Sequence, residues 1–170
     1  MKWIMLLLIY TGARRGEIAK LKASQIKLDA DTQRHYLYIA EDGNGKTENA
    51  TREVALHSDL IDFGFLDFVK GKSGHLFPDI ASTSLNQLAQ QFIEIRDGLG
   101  ISALDKDGSR RAIHSLRHTI ITYASGWMKD ITHLQSVVGH VKSNLGVTKR
   151  YIHTVPLASL LYIIDGLEWK

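Results

Sequence analysis

The hydrophobic period of this chain changes twice along its length, and those two changes constrain its fold more than any other feature. Residues 2–10 and 14–22 carry apolar side chains at helical spacing, interrupted by Thr11 and Gly12, with Thr11 as the expected cap. Then "QIKLDA", "RHYLYIA" and "TREVALH" alternate and are rich in β-branched and aromatic residues, with the turn-forming "EDGNG" between the second and third. This predicts a small three-stranded antiparallel sheet over residues 25–57, with a β-hairpin near 35–57. From residue 58 helical spacing returns: 58–71, 82–100 with Ser82 or Ser84 as cap, 109–126 after an Asp-Gly turn, then segments near 130–138, 144–151 and 157–165. Strands gathered early and helices gathered late predict a mainly helical α+β fold, with the sheet packed against about seven helices, rather than a wound parallel sheet. The chain shows no internal repeat, low-complexity tract or charged linker, so residues 1–170 are expected to form a single domain.

Composition allows such a domain to fold without staples. The chain is 44% apolar and 23% charged, ordinary values for a soluble globular protein with its own core. It contains no cysteine, which excludes a disulfide framework, thiolate metal ligands and a cysteine nucleophile, and suits a reducing compartment such as the cytoplasm. The opening "MKWIMLLLIYTGA" superficially mimics a secretory signal. Its apolar run is too short to span a bilayer, and Ile18 and Leu21 carry the helical pattern onward. The abrupt start on an apolar helix suggests a fragment whose preceding module is missing.

Net charge is only +3, but its distribution is uneven. Between residues 106 and 150 lie Lys106, Arg110, Arg111, Arg117, Lys129, Lys142, Lys149 and Arg150, against Asp107 and Asp130 alone. Such a region attracts anions, although a solvated basic face has the same composition. Within it, "HSLRH" sets His114, Arg117 and His118 at spacings of three and four, so that all three can overlap one face of a helix while Leu116, Ile120 and Ile121 turn to a core. A guanidinium beside an imidazole suits a phosphate oxygen. The His-x-x-x-His spacing also occurs in zinc proteases. There a glutamate directly follows the first histidine, whereas this chain has Ser115, and Arg117 would put a permanent cation beside the metal.

Two further segments supply context. In "TGARRGE", Arg14 and Arg15 stand at a helix start, where a cation opposes the helix dipole, and Glu17 lies three residues on, placed to orient Arg14. In "VVGHVKSNLGVTKRYIH", His140 follows a glycine at an apparent helix end, and Tyr151 follows Lys149 and Arg150.

Taken together, these segments resemble the catalytic domain of the tyrosine recombinase, or phage integrase, family. "TGARRGE" resembles its first-arginine box, His114 to His118 its His-x-x-Arg box, Val138 to His140 its Leu-Gly-His box and Thr148 to His153 its nucleophile box. "GKTENATREVAL" resembles the family's β-hairpin, which makes Lys46 the counterpart of the catalytic lysine. The boxes occur in the family's order along essentially the whole chain. Three departures stand out. Valine replaces leucine in the Gly-His box, the eleven positions from His140 to Tyr151 exceed the spacing in many members, and the family's N-terminal DNA-clamping helical domain is absent from these residues.

The resemblance implies the fold of DNA breaking-rejoining enzymes and a site-specific recombinase that cuts and rejoins DNA through a 3′-phosphotyrosine. Tyr151 would be the nucleophile; Arg14, Arg117 and His140 would hold the non-bridging phosphate oxygens; Lys46 would be the general acid; His114 would assist at the tyrosine, and Glu17 would orient Arg14. Arg15, Arg110, Arg111, Lys142, Lys149 and Arg150 are candidates for DNA-backbone contacts, and His118 and His153 are read as structural neighbours. No metal or cofactor is implied. The implied partners are double-stranded DNA attachment sites, further copies of the chain assembled as a tetramer through the C-terminal segment, and accessory DNA-bending or directionality proteins; no membrane is involved. That C-terminal segment, "PLASLLYIIDGLEWK", reads as an apolar-faced helix that folds back or docks on a neighbour. The resemblance further implies a DNA-associated protein of a bacterium or phage. Two alternatives remain open from sequence: a type IB topoisomerase-like strand transferase, and a non-catalytic DNA-binding module.

Overall fold

The computed structural model describes residues 1–40, 51–139 and 155–169. The expected turn at 41–45, the helix expected at 144–151, and Lys46, His140, Lys142, Lys149, Arg150, Tyr151 and His153 lie outside the described residues.

Helix α1 (Lys2–Thr11) is apolar on most sides, as befits a helix enclosed by others, and buries Ile4, Leu7, Leu8 and Tyr10. It ends at Gly12, whose φ of 63° supplies the left-handed cap. Thr11 therefore belongs to the first helix and does not cap the second. Its hydroxyl donates to Leu7 O (2.6 Å) and accepts from Ala13 N (3.2 Å). The cap of the short α2 (Arg15–Ala19) is Arg14, and the Glu17 carboxylate accepts the Arg14 backbone N–H (2.6 Å) as the returning half of a capping box. Helix α2 stops three residues earlier than the period suggests, because Lys22 pairs with His75 in an isolated bridge and residues 23–25 form a 3₁₀ turn.

Strands β1 (Ile26–Leu28), β2 (His35–Ile39) and β3 (Arg52–Ala55) form the expected antiparallel sheet in the order β1-β2-β3. Leu37 faces Val54 and Ile39 faces Arg52 across β2 and β3, and all four are buried, so this side of the sheet looks to the core.

The helical remainder is more finely divided than the sequence suggests. Gly64, with φ of 87°, splits residues 58–71 into α3 (Ser58–Asp62) and α4 (Phe65–Val69). A single turn, α5 (Pro78–Ala81), precedes α6 (Leu85–Gly98), which Ser84 rather than Ser82 caps by accepting from Gln87 N. Helix α7 (Ser115–Ala124) starts six residues later than expected, since Asp105 to Arg111 close a loop on themselves through an Asx turn and a bridge between Leu104 and Arg110. Helices α8 (Ile131–Val138) and α9 (Leu157–Asp165) complete the described chain.

Helix α7 packs on α1, while α9 lies against both α8 and β3. The C-terminal segment thus folds back: Leu157, Leu160, Ile163, Ile164 and Leu167 are buried, and Trp169 stacks on Tyr123. Among the described residues no helix is long and apolar enough to cross a membrane.

Candidate functional site

Two helix ends meet at the site. α1 ends at Gly12 and α8 at Gly139, both in the left-handed conformation, and each presents a carbonyl that its own helix leaves unpaired. Arg117 donates to Gly12 O (2.5 Å) and Arg14 donates to Gly139 O (2.8 Å). Both guanidinium groups therefore rest at the negative ends of helix dipoles. This resolves the unfavourable placement of Arg14 at the start of α2: its backbone caps that helix, while its charge is carried across to the end of another.

Glu17 is the hub. Its carboxylate accepts from Arg14 Nη1 (2.9 Å) and from Arg52 Nη1 (3.0 Å) and Nη2 (2.8 Å). Arg52 also donates from Nε to Val137 O in the last turn of α8 (2.8 Å). Burial pushes the Glu17 carboxyl up, but the bonds and charge of Arg52, followed by those of Arg14, outweigh it and hold the group below the usual carboxylate range. Arg117 feels burial first and then the charges of Arg14 and Arg52, which bring it down to about 10, so it remains a cation at neutral pH. With Arg14, Arg52 and Arg117 against Glu17, the group carries three positive charges and one negative, an excess of two that suits an anion.

The structure corrects the placing of Arg117. His114 and His118 share an exposed face, with rings edge to face at 4.8 Å, but Arg117 does not join them. It lies four residues after Ile113 and three before Ile120, within the buried stripe of α7, and is only 4% exposed. His114 itself is the residue before the helix rather than part of it. Burial, then the charges of His118, Arg117, Arg15 and Arg14, hold its pKa below the ordinary histidine value and so favour the neutral imidazole.

An open cleft of about 520 Å³ runs beside these groups, lined by Arg14, Arg15, Glu17, Lys20, His114 and Ala40 among others. Arg15 leans across it toward Leu85 O (3.5 Å). Ala40, the last described residue before the segment containing Lys46, lines this cleft, and Gly139, the last before the segment containing His140 and Tyr151, receives Arg14. Ala40 and Gly139 thus both border the arginine cluster. Arg110 and Arg111 stand farther along, in a second, larger and more apolar groove between α6 and α7 that shares His114 with the first; Arg111 donates to Ser102 O (3.2 Å).

Sequence reasoning missed Arg52. The signal was available: in "TREVALH" the alternation that puts Val54 on the core side puts Arg52 there too, and a charge at a core position demands partners. Among the described residues no group of three or more potential metal ligands occurs.

The model of the phage integrase family matches residues 1–156. No curated protein matches the sequence. Among solved structures, the chain is similar to XerH site-specific recombinase in a post-cleavage complex with palindromic difH substrate, with a TM-score of 0.58 and 20% identity over 88% of this chain and 41% of that one. It is also similar to XerA recombinase, with a TM-score of 0.54 and 21% identity over 96% of this chain and 55% of the other. At these identities the likeness is one of fold, and the chain spans about half the length of these structures.

Proposed function

The chain belongs to the phage integrase family, and on that premise we propose that it is a site-specific DNA recombinase whose domain cuts and rejoins DNA through Tyr151. The observation that carries this reading is the meeting of Arg14 and Arg117 on two adjacent helix ends, with Glu17 tying Arg14 to Arg52, beside His114, and with Ala40 and Gly139, the described residues that precede Lys46 and Tyr151 in the chain, at the border of the cluster.

The chemistry follows from this inventory. The Tyr151 phenolic oxygen attacks a backbone phosphorus, the bond from phosphorus to the 5′-oxygen breaks, and a 3′-phosphotyrosine and a free 5′-hydroxyl result. Arg14 and Arg117, with His140, offset the charge that builds on the non-bridging oxygens, the role of preorganised donors in phosphoryl transfer. His114 takes up the phenolic proton, and Lys46 delivers one to the departing 5′-oxygen. The phosphodiester energy stays in the covalent link, so a 5′-hydroxyl of a second strand can reverse the attack and join a new partner. Arg15, Arg110 and Arg111, with Lys142, Lys149 and Arg150, extend the basic surface along the flanking DNA. Assembly of copies on paired sites through the C-terminal segment belongs to this reading, and within one chain α9 packs on α8 and β3. Positive charge comes from side chains throughout, so excess chelator is expected to leave the reaction unchanged.

The test is covalent capture. The protein is mixed with a pool of nicked duplexes of random sequence, and DNA retained by native filter binding is compared with DNA that stays attached in detergent. The expected result is an adduct that vanishes in Tyr151→Phe while native retention stays within a few-fold. Retention without adduct in the parent protein overturns catalysis in favour of a binding module, and adduct in Tyr151→Phe overturns the choice of nucleophile. Relaxation of supercoiled DNA with no recombinant product points instead to a topoisomerase-like transferase.

A further inference from the structure

The hairpin stretch that contains Arg52 assigns it no role, yet its guanidinium reaches three described parts of the site. Its side chain is 5% exposed, and it stands at the first position of β3, six positions after Lys46. Among the described residues its contacts run in three directions. Two nitrogens grip both oxygens of Glu17, Nε reaches Val137 O, and the flat of the group lies against Gly139, where an added Cβ would come within 2.6 Å of Nη1 and 2.8 Å of Cζ. The absence of a side chain at Gly139 is what admits the guanidinium, so cap and cation are fitted to each other.

Glu17 has two further bonds, one to the backbone N–H of Arg14 and one to its Nη1. With both carboxylate oxygens held by Arg52, the carboxylate is fixed at the orientation in which Arg14 donates it a single side-chain bond and keeps Nη2 on Gly139 O. A carboxylate free of Arg52 could instead swing onto Arg14 as a forked pair, the stronger geometry, and draw it off the helix end.

We infer that Arg52 is a positioning residue: it locks Glu17 to the end of α8, and thereby sets Arg14 for the phosphate. It does not contact that phosphate itself. A lysine at this place could neutralise Glu17, but it has neither the planar fork for two parallel bonds nor a third donor aimed at Val137 O. The inference rests on the reading of this cluster as the scissile-phosphate site.

The experiment compares Arg52→Lys, Glu17→Gln and the double variant with the parent. For duplexes recovered by covalent capture, Arg52→Lys is expected to retain native DNA binding within about threefold and to slow single-turnover adduct formation by roughly tenfold to a hundredfold, the cost of misplacing a group by about an ångström. Because Arg52 acts through Glu17, adding Arg52→Lys to Glu17→Gln is expected to cost less than about threefold more. A purely structural role would lower the melting temperature while leaving the rate per folded molecule unchanged, or give losses that multiply; either result overturns the inference. Should Arg52→Lys fail to fold, Glu17→Gln probes the same link: a slowed rate at unchanged binding supports it, and an unchanged rate refutes it. A DNA-free measurement separates this inference from the recombinase reading. In Arg52→Lys the Glu17 carboxyl, followed by carbon NMR, is expected to titrate at higher pH than in the parent, and the Arg14 Nε–H signal to shift. If both signals stay where they are in the parent, the linkage is absent whatever the protein does to DNA.

Discussion

Helices α1 and α8 end in the same way and serve different ends. Each stops at a left-handed glycine, and each receives an arginine from elsewhere in the chain on its last carbonyl. At Gly12 the space left by the missing side chain is bounded by Val138 Cγ1 and Ile120 Cγ2, at 3.2 and 3.4 Å from an added Cβ, and the arginine that arrives is buried. At Gly139 the corresponding space is filled by a second arginine, and the Arg14 that arrives is 46% exposed at its side chain. The first end is therefore a packing joint that happens to hold a charge. The second is a charged joint that packing would obstruct. A shared backbone device thus yields a rigid cation and an accessible one side by side, a pairing suited to gripping a phosphate.

The comparison is broken most severely by removing its cations. Arg14→Ala and Arg117→Ala are each expected to slow single-turnover adduct formation by roughly 10² or more, the cost of losing one preorganised donor. They should part company in stability. Arg117→Ala leaves Gly12 O without its partner in the interior and should cost about 1–3 kcal/mol, whereas Arg14→Ala, at an exposed pair, should cost less than about 1 kcal/mol. Urea unfolding distinguishes them, and equal costs would erase the difference between the two ends.

A smaller effect is expected at the glycines. Alanine at either position pays for left-handed backbone, of order 1 kcal/mol or more. Gly139→Ala must also displace the buried guanidinium of Arg52 from its carboxylate, so it should destabilise by about 2–4 kcal/mol, more than Gly12→Ala, whose neighbours need give only a few tenths of an ångström. The opposite order would show that Arg52 is loosely held.

Acid sharpens the comparison further. His114 has a folded pKa below its usual 6.5, so as pH falls through the interval beneath 6.5 the unfolded chain binds protons that the folded chain refuses, and stability declines. Glu17 behaves alike below 4.5, since its stabilisation is present above that pH and disappears as the carboxyl protonates in the folded state. Two successive declines in the urea midpoint are expected, with His114→Gln reducing the upper one and Glu17→Gln the lower, to which Asp29, held down by its bonds from Thr32, also contributes. The smallest effect belongs to Arg34, which pairs with Asp165 at the end of α9 (2.7 Å) with side chains 28% and 44% exposed. Arg34→Ala should cost less than about 1 kcal/mol, marking how little an arginine at a helix end contributes when it is not enclosed.

What the sequence reveals depends on how local the cause is. The sheet, the antiparallel pairing of β2 with β3 and the described later helices are visible because alternation and helical spacing are properties of neighbouring residues. Breaks such as Gly64 and the late start of α7 are less visible, because an Asx turn at Asp105 competes with helical propensity and only the folded chain shows which prevails. In the site, Arg14, Glu17 and Arg117 are legible as short motifs. That Arg117 points inward was legible too, had its distance from Ile113 and Ile120 been weighed against its distance from His114. Arg52 was concealed by its partners, since nothing local connects residue 52 with residues 17 and 137.

The measurement closest to the central claim uses a scissile phosphate whose charge has been removed. A recovered duplex is made with one non-bridging oxygen at the cut replaced by a methyl group, and single-turnover adduct rates are compared for the parent, Arg14→Ala and Arg117→Ala. If these arginines hold the charged oxygens, each defect of roughly 10² on the ordinary phosphate should shrink to a few-fold on the neutral one. Defects of equal size on both substrates would contradict the account and leave the arginines as structural supports of the two helix ends.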